Sequence, residues 1–334
     1  MGYKSSARIY STPPKIFEYL LTKSSFIKEN PVSFTMSAIS IPKGSIQLAG
    51  LLFKPATPST PKLPALIIVH PGGGVKEQTA GLYARNLSQH GYMTVCYDAS
   101  HQGESGGEPR FLEDPSQRVS DVYSVIDYLE KCDDVDSEKI AIVGICAGGG
   151  YATAAAKSDH RLKALATISM VNIGDSARLG WDGTEDPKQK LDAFTFAAEQ
   201  ISAENAGAES AVAPYVPPQL DENMPFDLRG GHEYYLTPRA QHPRACNKML
   251  IRSFPLVLNF DAFQFADLYL TQPTLLIAGE KAGSLWHTEK LDHLIGGTAK
   301  KVIVPNATHI DFYDQEEYVD LAVKNMVEFF GENL

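Results

Sequence analysis

Apolar residues along this chain fall into short continuous runs, separated by longer stretches in which they recur every three or four positions. The runs ALIIVH (65–70), YMTVCYD (92–98), KIAIVGI (139–145), ALATISM (164–170), TLLIAG (274–279) and KVIVP (301–305) have the length and uniform hydrophobicity of strands buried on both faces. Between them the spacing changes to that of helices. Residues 77–91 read as a helix with Gly91 as its C-terminal cap. Residues 114–131 place Val119, Val122, Tyr123, Val125, Ile126 and Leu129 on one helical face, with Asp114 as N-cap and Pro115 in the first turn. Further helices are expected at 149–158, near 288–295 and at 315–330. Ahead of all these, SFTMSAIS (33–40) and SIQLAGLLF (45–53), split by Pro42-Lys43-Gly44, read as an antiparallel hairpin.

Strands alternating with helices predict an α/β protein with a mostly parallel central sheet and helices on both faces. The alternation breaks between 171 and 265, which holds a helical pattern at 187–205, an Ala/Gly/Pro-rich stretch at 206–218, and the aromatic, basic run HEYYLTPRAQHPR (232–244). A segment this long is read as a helical cap inserted after the sixth strand. The expected division is an N-terminal lead (1–30), a core (31–170 and 266–334) and the inserted cap (171–265).

Composition narrows the class. The chain has 334 residues, 43% of them hydrophobic and 21% charged, which are ordinary globular values. The net charge of −10 argues against nucleic acid as a partner, and no apolar run has the length of a membrane span. The four cysteines, Cys96, Cys132, Cys146 and Cys246, have neither disulfide-framework nor zinc-site spacing. A cytoplasmic, reduced protein without metal or cofactor is expected, acting on a small molecule, with a homo-oligomer left open.

In open parallel sheets the site lies at the carboxyl ends of the strands. There the chain carries HPGGG, YDASHQGES, GICAGGG, AGEKAGS and NATH. Gly144-Ile145-Cys146-Ala147-Gly148 stands between a predicted strand and a predicted helix, with glycine two residues before and after the cysteine. That is the setting of a nucleophile elbow, and a helix N-terminus favours a thiolate. The motif lacks the Lys-Ser/Thr pair of a nucleotide P-loop. His70-Pro71-Gly72-Gly73-Gly74 follows the third strand; the N–H groups of Gly72 and Gly73, with that of Ala147, would form an oxyanion hole, while His70 reads as structural. His309, after the last strand, is the expected base. The acid is expected after the penultimate strand, where residues 281–283 (Lys, Ala, Gly) hold no carboxylate. Glu280 is the nearest, and Asp175 is the alternative. Asp98 and Glu104 read as shaping their own loop. Trp181, Tyr234, Tyr235, Arg239 and His242 of the cap are candidate substrate contacts.

HPGGG, DASHQGESGGEPR, GICAGGGYATAAAKSDHR and NATHIDFYD together resemble the α/β-hydrolase superfamily. More narrowly they are similar to its dienelactone-hydrolase-related, YcjY-like group, with which fungal polyketide transferases share features. The resemblance spans roughly residues 30–334 and implies the α/β-hydrolase fold, Cys146 as nucleophile, His309 as base, and Ala147, Gly72 and Gly73 as oxyanion donors. The chain departs from many relatives in having Ala282 and Gly283 where they carry aspartate. It also has His70-Pro71-Gly72 where dienelactone hydrolases carry a glutamate. The expected activity is hydrolysis of an activated ester, lactone or thioester through an acyl-thioenzyme. Acyl transfer or cyclisation at the same Cys–His site, and ligand binding without catalysis, are the alternatives.

Overall fold

The computed structural model describes residues 33–222 and 224–334; the expected lead segment, 1–30, lies outside the described residues. Eight strands, β1 (Phe34–Lys43), β2 (Ile46–Pro55), β3 (Leu63–Val69), β4 (Met93–Tyr97), β5 (Val135–Ile145), β6 (Leu162–Ile168), β9 (Thr274–Gly279) and β10 (Lys300–Val304), form one sheet. Its order is β1-β2-β4-β3-β5-β6-β9-β10. β1 pairs antiparallel with β2, and β2 antiparallel with β4, while every later pairing is parallel. The helices are α1 (Thr79–Ser88), α2 (Pro115–Leu129), α3 (Ala147–Ala156), α4 (Ile173–Leu179), α5 (Leu191–Asn205), α6 (Phe226–Leu236), α7 (Phe254–Leu258), α8 (Ala266–Tyr269), α9 (Leu285–Leu294), α10 (Asp311–Asp314) and α11 (Glu316–Asn333).

The pleat sorts each strand between two cores. Leu66 and Ile68 of β3 point to one face, with Tyr83 and Leu87 of α1 and Val323, Met326 and Phe330 of α11. Ala65, Ile67 and Val69 point to the other, with Val122 and Ile126 of α2 and Tyr151 and Ala155 of α3. Asp114 caps α2 as expected, its carboxylate accepting from the N–H groups of Ser116 and Gln117. All strands of this sheet lie within 34–168 and 274–304, so 169–273 is an insertion between β6 and β9. The insertion supplies α4–α8 and a two-residue ribbon, β7 (Val212–Ala213) on β8 (Met249–Leu250). The helix expected at 187–205 begins as a 3-10 turn at Pro187–Lys190 and becomes α5. The terminal helix is broken, because Gln315 is extended; this leaves α10 as a separate turn. No helix among the described residues is long and apolar enough to cross a membrane.

The loops at the carboxyl ends of β3 and β4 are tied together by buried charge. Asp98 accepts from the backbone N–H of Lys76 (2.8 Å), from its ammonium (2.8 Å) and from the N–H of Glu104 (2.8 Å). The Lys76 ammonium also meets Glu77 (2.8 Å) and Glu104 (2.6 Å). Burial opposes its charge, but Asp98 and Glu77 outweigh burial and raise its pKa. Asp98 and Glu104 thus hold their own loop and, through Lys76, the glycine turn at 72–74. Lys76→Met would leave buried carboxylates without their cation. We expect a loss of about 3–5 kcal/mol in urea unfolding; a loss under about 1 kcal/mol would show that water, and not Lys76, balances that charge.

Candidate active site

β5 ends at Ile145 and α3 begins at Ala147, so Cys146 alone reverses the chain. Its φ of 54° and ψ of −125° are strained for a residue with a side chain. The turn is held by bonds from Cys146 N–H to Ile168 C=O (3.0 Å) and from Gly149 and Val171 N–H to Cys146 C=O (2.8 and 2.9 Å). It also needs bare backbone on both sides. A Cβ on Gly144 would collide with Gly148 C=O and the Cα of Gly149, and one on Gly148 with the carbonyls of Val69 and His70. Gly144 is thus required by the first turn of α3 folding back over β5, and Gly148 by that turn packing on the end of β3.

Around the Cys146 thiol stand His309, Tyr313 and the N–H of Ala147. Burial pushes the thiol pKa up, but the charge and hydrogen bond of His309, the Tyr313 hydroxyl and the Ala147 N–H bring it below the ordinary value. His309 is 1% exposed. Burial lowers its pKa, yet the Cys146 thiolate and the negative charge of Asp227 raise it overall. The two shifts are coupled, each group favouring the charged form of the other. Nε2 of His309 also stands 3.1 Å from the Tyr313 hydroxyl, one helical turn further on.

The far side of the imidazole differs from expectation. Glu280 does not reach His309: it is exposed, and its carboxylate accepts from the N–H of Asn306 (3.0 Å). Asp175 does not reach it either, being held between Arg178 (2.8 Å) and Lys290 (2.7 Å). Both carboxylates are engaged by nearer donors. Nδ1 faces the Ser284 hydroxyl at 2.6 Å, one residue beyond the 281–283 window. The neighbouring carboxylate is Asp227 of α6, from the insertion. It accepts from the backbone N–H of His309 (3.0 Å), the N–H of Gly283 (2.7 Å) and the indole N–H of Trp181 (3.0 Å). It therefore fixes the histidine loop, the loop after β9 and the insertion at one buried point. Asp227 keeps the chain order Cys146…carboxylate…His309, but no periodicity distinguishes it from other aspartates of the insertion.

The glycine turn lies where expected. Gly73 has φ 69°, and Gly74 N–H closes the turn on Pro71 C=O (3.2 Å). Among the described residues the N–H groups of Gly72 and Gly73 have no backbone acceptor. The ring of Tyr215, which sequence reasoning missed, covers this turn: a Cβ on Gly73 would lie 2.6 Å from it. Glu113 props Tyr215 and Tyr151 by their hydroxyls (2.5 and 2.6 Å). His70 is buried in the same support. Its Nε2 accepts from Ala99 N–H (3.1 Å), and burial and Arg118 push its pKa well down.

Of the aromatic candidates, Trp181 packs edge-on against His309 (5.0 Å), and Tyr234 packs edge-on against both Tyr235 (4.9 Å) and Tyr313 (5.1 Å). The two basic candidates are engaged elsewhere. Arg239 is paired with Asp314 (2.6 and 3.0 Å), because α10 offers it a carboxylate. His242 accepts from the N–H of Arg244 (3.3 Å), and Arg244 itself pairs with Glu77 of the Lys76 cluster.

A helix entered from a parallel strand through a single positive-φ residue, facing a histidine beyond the last strand, is the arrangement of the α/β hydrolases. The chain belongs to the YcjY-like group of these enzymes, and residues 43–212 match the model of the X-Pro dipeptidyl-peptidase (S15) family. It is 42% identical over 307 residues to protein YcjY of Escherichia coli K12, covering 91% of this chain and 99% of YcjY. The crystal structure of PA2218 from Pseudomonas aeruginosa superimposes with a TM-score of 0.84 at 29% identity, covering 91% of this chain and 94% of that one. Polyketide transferase GrgF of Penicillium is 26% identical over 254 residues, 73% of this chain and 81% of its own. The crystal structure of GrgF superimposes with a TM-score of 0.72 at 20% identity, covering 90% of this chain and 99% of that one.

Asp227→Asn tests the buried junction. An amide offers one acceptor oxygen to three N–H donors, so stability should fall by about 1–3 kcal/mol in urea unfolding. The loss of charge should also lower the pKa of His309, read from the pH dependence of Cys146 alkylation. An unchanged profile would separate Asp227 from the imidazole electrostatically.

Proposed function

We propose that this protein is an acyl-group hydrolase that cleaves activated esters, lactones or thioesters through Cys146. The observation that carries the reading is the half-buried thiol at the strained turn, paired with His309 and lowered in pKa although desolvation opposes it. The Cys146 thiolate attacks the acyl carbonyl: an S–C bond forms and the π electrons move to oxygen, facing the N–H groups of Gly72, Gly73 and Ala147. Collapse breaks the bond to the leaving group, which takes the proton of the His309 imidazolium. Water then attacks the thioester, giving its proton to His309, and the thiolate leaves. Ser284 holds Nδ1, so that Nε2 faces the reacting atoms, and Asp227 stabilises the imidazolium by its charge. A thiolate suits carbonyls with good leaving groups better than amides. The names of two similar fungal proteins, polyketide transferase GrgF and thiohydrolase AneE, support thioester chemistry.

Acyl transfer is the second reading. It is favoured by the aromatic wall that the insertion, acting as a cap, places over the site: Trp181, Tyr215, Tyr234 and Tyr235 exclude water from a thioester that amines or thiols could intercept. Hydrolysis predicts free acid as the sole product in the presence of such nucleophiles, and transfer predicts amide or thioester.

Iodoacetamide with peptide mapping tests the nucleophile. Cys246 is exposed and serves as an internal reference. Cys146 should react faster than Cys246 at neutral pH, because its thiolate persists to lower pH. In His309→Ala burial dominates, so the pH at which Cys146 reacts should move up, above that of a free thiol. Cys146→Ala should abolish turnover of p-nitrophenyl acetate. Preferential labelling of Cys246 together with full activity in Cys146→Ala would sink the proposal.

A further inference from the structure

Tyr235 is buried, and its hydroxyl makes no hydrogen bond of ordinary length and angle, although the Tyr313 phenol stands beside it. A phenol stranded in this way costs stability unless something other than the protein meets it. Its position says what that is. The hydroxyl stands over the glycine turn: a Cβ on Gly74 would lie 3.5 Å from it. Tyr235 also feels the charge of Cys146 directly. Its neighbour Tyr313 is committed to the other side of the site, at His309 Nε2 and the thiol. The two phenols thus divide the space around the sulfur: Tyr313 on the imidazole side, where the leaving group departs, and Tyr235 on the side of Gly72 and Gly73, where the carbonyl oxygen must point. Gly74 N–H is already used within its turn, so that side of the oxygen has room for another donor.

We propose that Tyr235 is a further catalytic residue, whose hydroxyl donates a hydrogen bond to the acyl carbonyl oxygen as it gains negative charge. The proton stays on the phenol. Burial and the nearby thiolate push its pKa well above the ordinary value, so it acts as a donor and not as an acid. The donor comes from the insertion and not from the sheet loops, so the oxyanion site is complete only with the insertion seated on the core. This rests on Cys146 being the nucleophile.

Tyr235→Phe removes only a hydroxyl that makes no well-formed hydrogen bond, and the melting temperature should stay within about a degree or two or rise. In the full-length protein, kcat/KM for p-nitrophenyl acetate should fall about 100-fold, mostly in kcat. Iodoacetamide alkylation of Cys146 builds no oxyanion, so its rate and pH profile should stay within about twofold. Turnover within about threefold of the parent would overturn the role. Alkylation falling in parallel with turnover would also overturn it, by showing that the hydroxyl serves the thiolate. Absence of preferential Cys146 labelling in the unsubstituted protein would reject the nucleophile itself, a failure distinct from that of Tyr235.

Discussion

The site depends on how closely backbone can approach backbone where β5 runs into α3. The first turn of α3 folds back over Gly144 and packs Gly148 onto the end of β3, which leaves no room for a side chain at either, and Cys146 between them takes positive φ. Local sequence alone would not keep a cysteine there. The surrounding sheet overdetermines it, through bonds to Ile168, Gly149 and Val171. One consequence is chemical: the sulfur is lifted out of the turn beside the first N–H groups of a helix, where a thiolate costs least.

Three buried carboxylates then tie together the loops around the sulfur. Asp98 holds the glycine turn through Lys76, Glu113 holds the tyrosine that covers that turn, and Asp227 holds the histidine loop. Each satisfies several donors at once, which is what makes a carboxylate tolerable in a dry interior. Each also joins segments far apart in the chain, so the loops are placed relative to one another and not only to the strand each follows. The imidazole itself is oriented by a hydroxyl, Ser284, with the nearest negative charge one contact away. Both the Cys146 thiol, in its charged form, and Asp227 favour the charged imidazole.

Much of the fold was legible along the chain. The strand runs 65–70, 92–98 and 274–279 lie within a residue or two of β3, β4 and β9, because continuous hydrophobicity is a local property of strands buried on both faces. The elbow was legible for the same kind of reason: two glycines around a cysteine, between a strand and a helix, are adjacent residues answering one steric demand. His309 could be found by its position after the last strand. The exposed Glu280 and the ion-paired Asp175 show where local reasoning stops: sequence proximity to a strand end says nothing about which donor lies nearest in space.

By itself, then, the sequence determined the sheet, the strained turn at Cys146 and the position of His309, since each is set by periodicity or by steric limits within a few residues. Only the tertiary structure decided what supports them. Asp227, Ser284, Tyr215 and Tyr313 carry no pattern that separates them from other residues of their type. They come together because the insertion, which carries Asp227 and Tyr215, meets the segments after β9 and β10, which carry Ser284 and Tyr313, at the carboxyl edge of the sheet. There a single unpaired donor, or a single well-placed charge, counts for far more than it would at the surface.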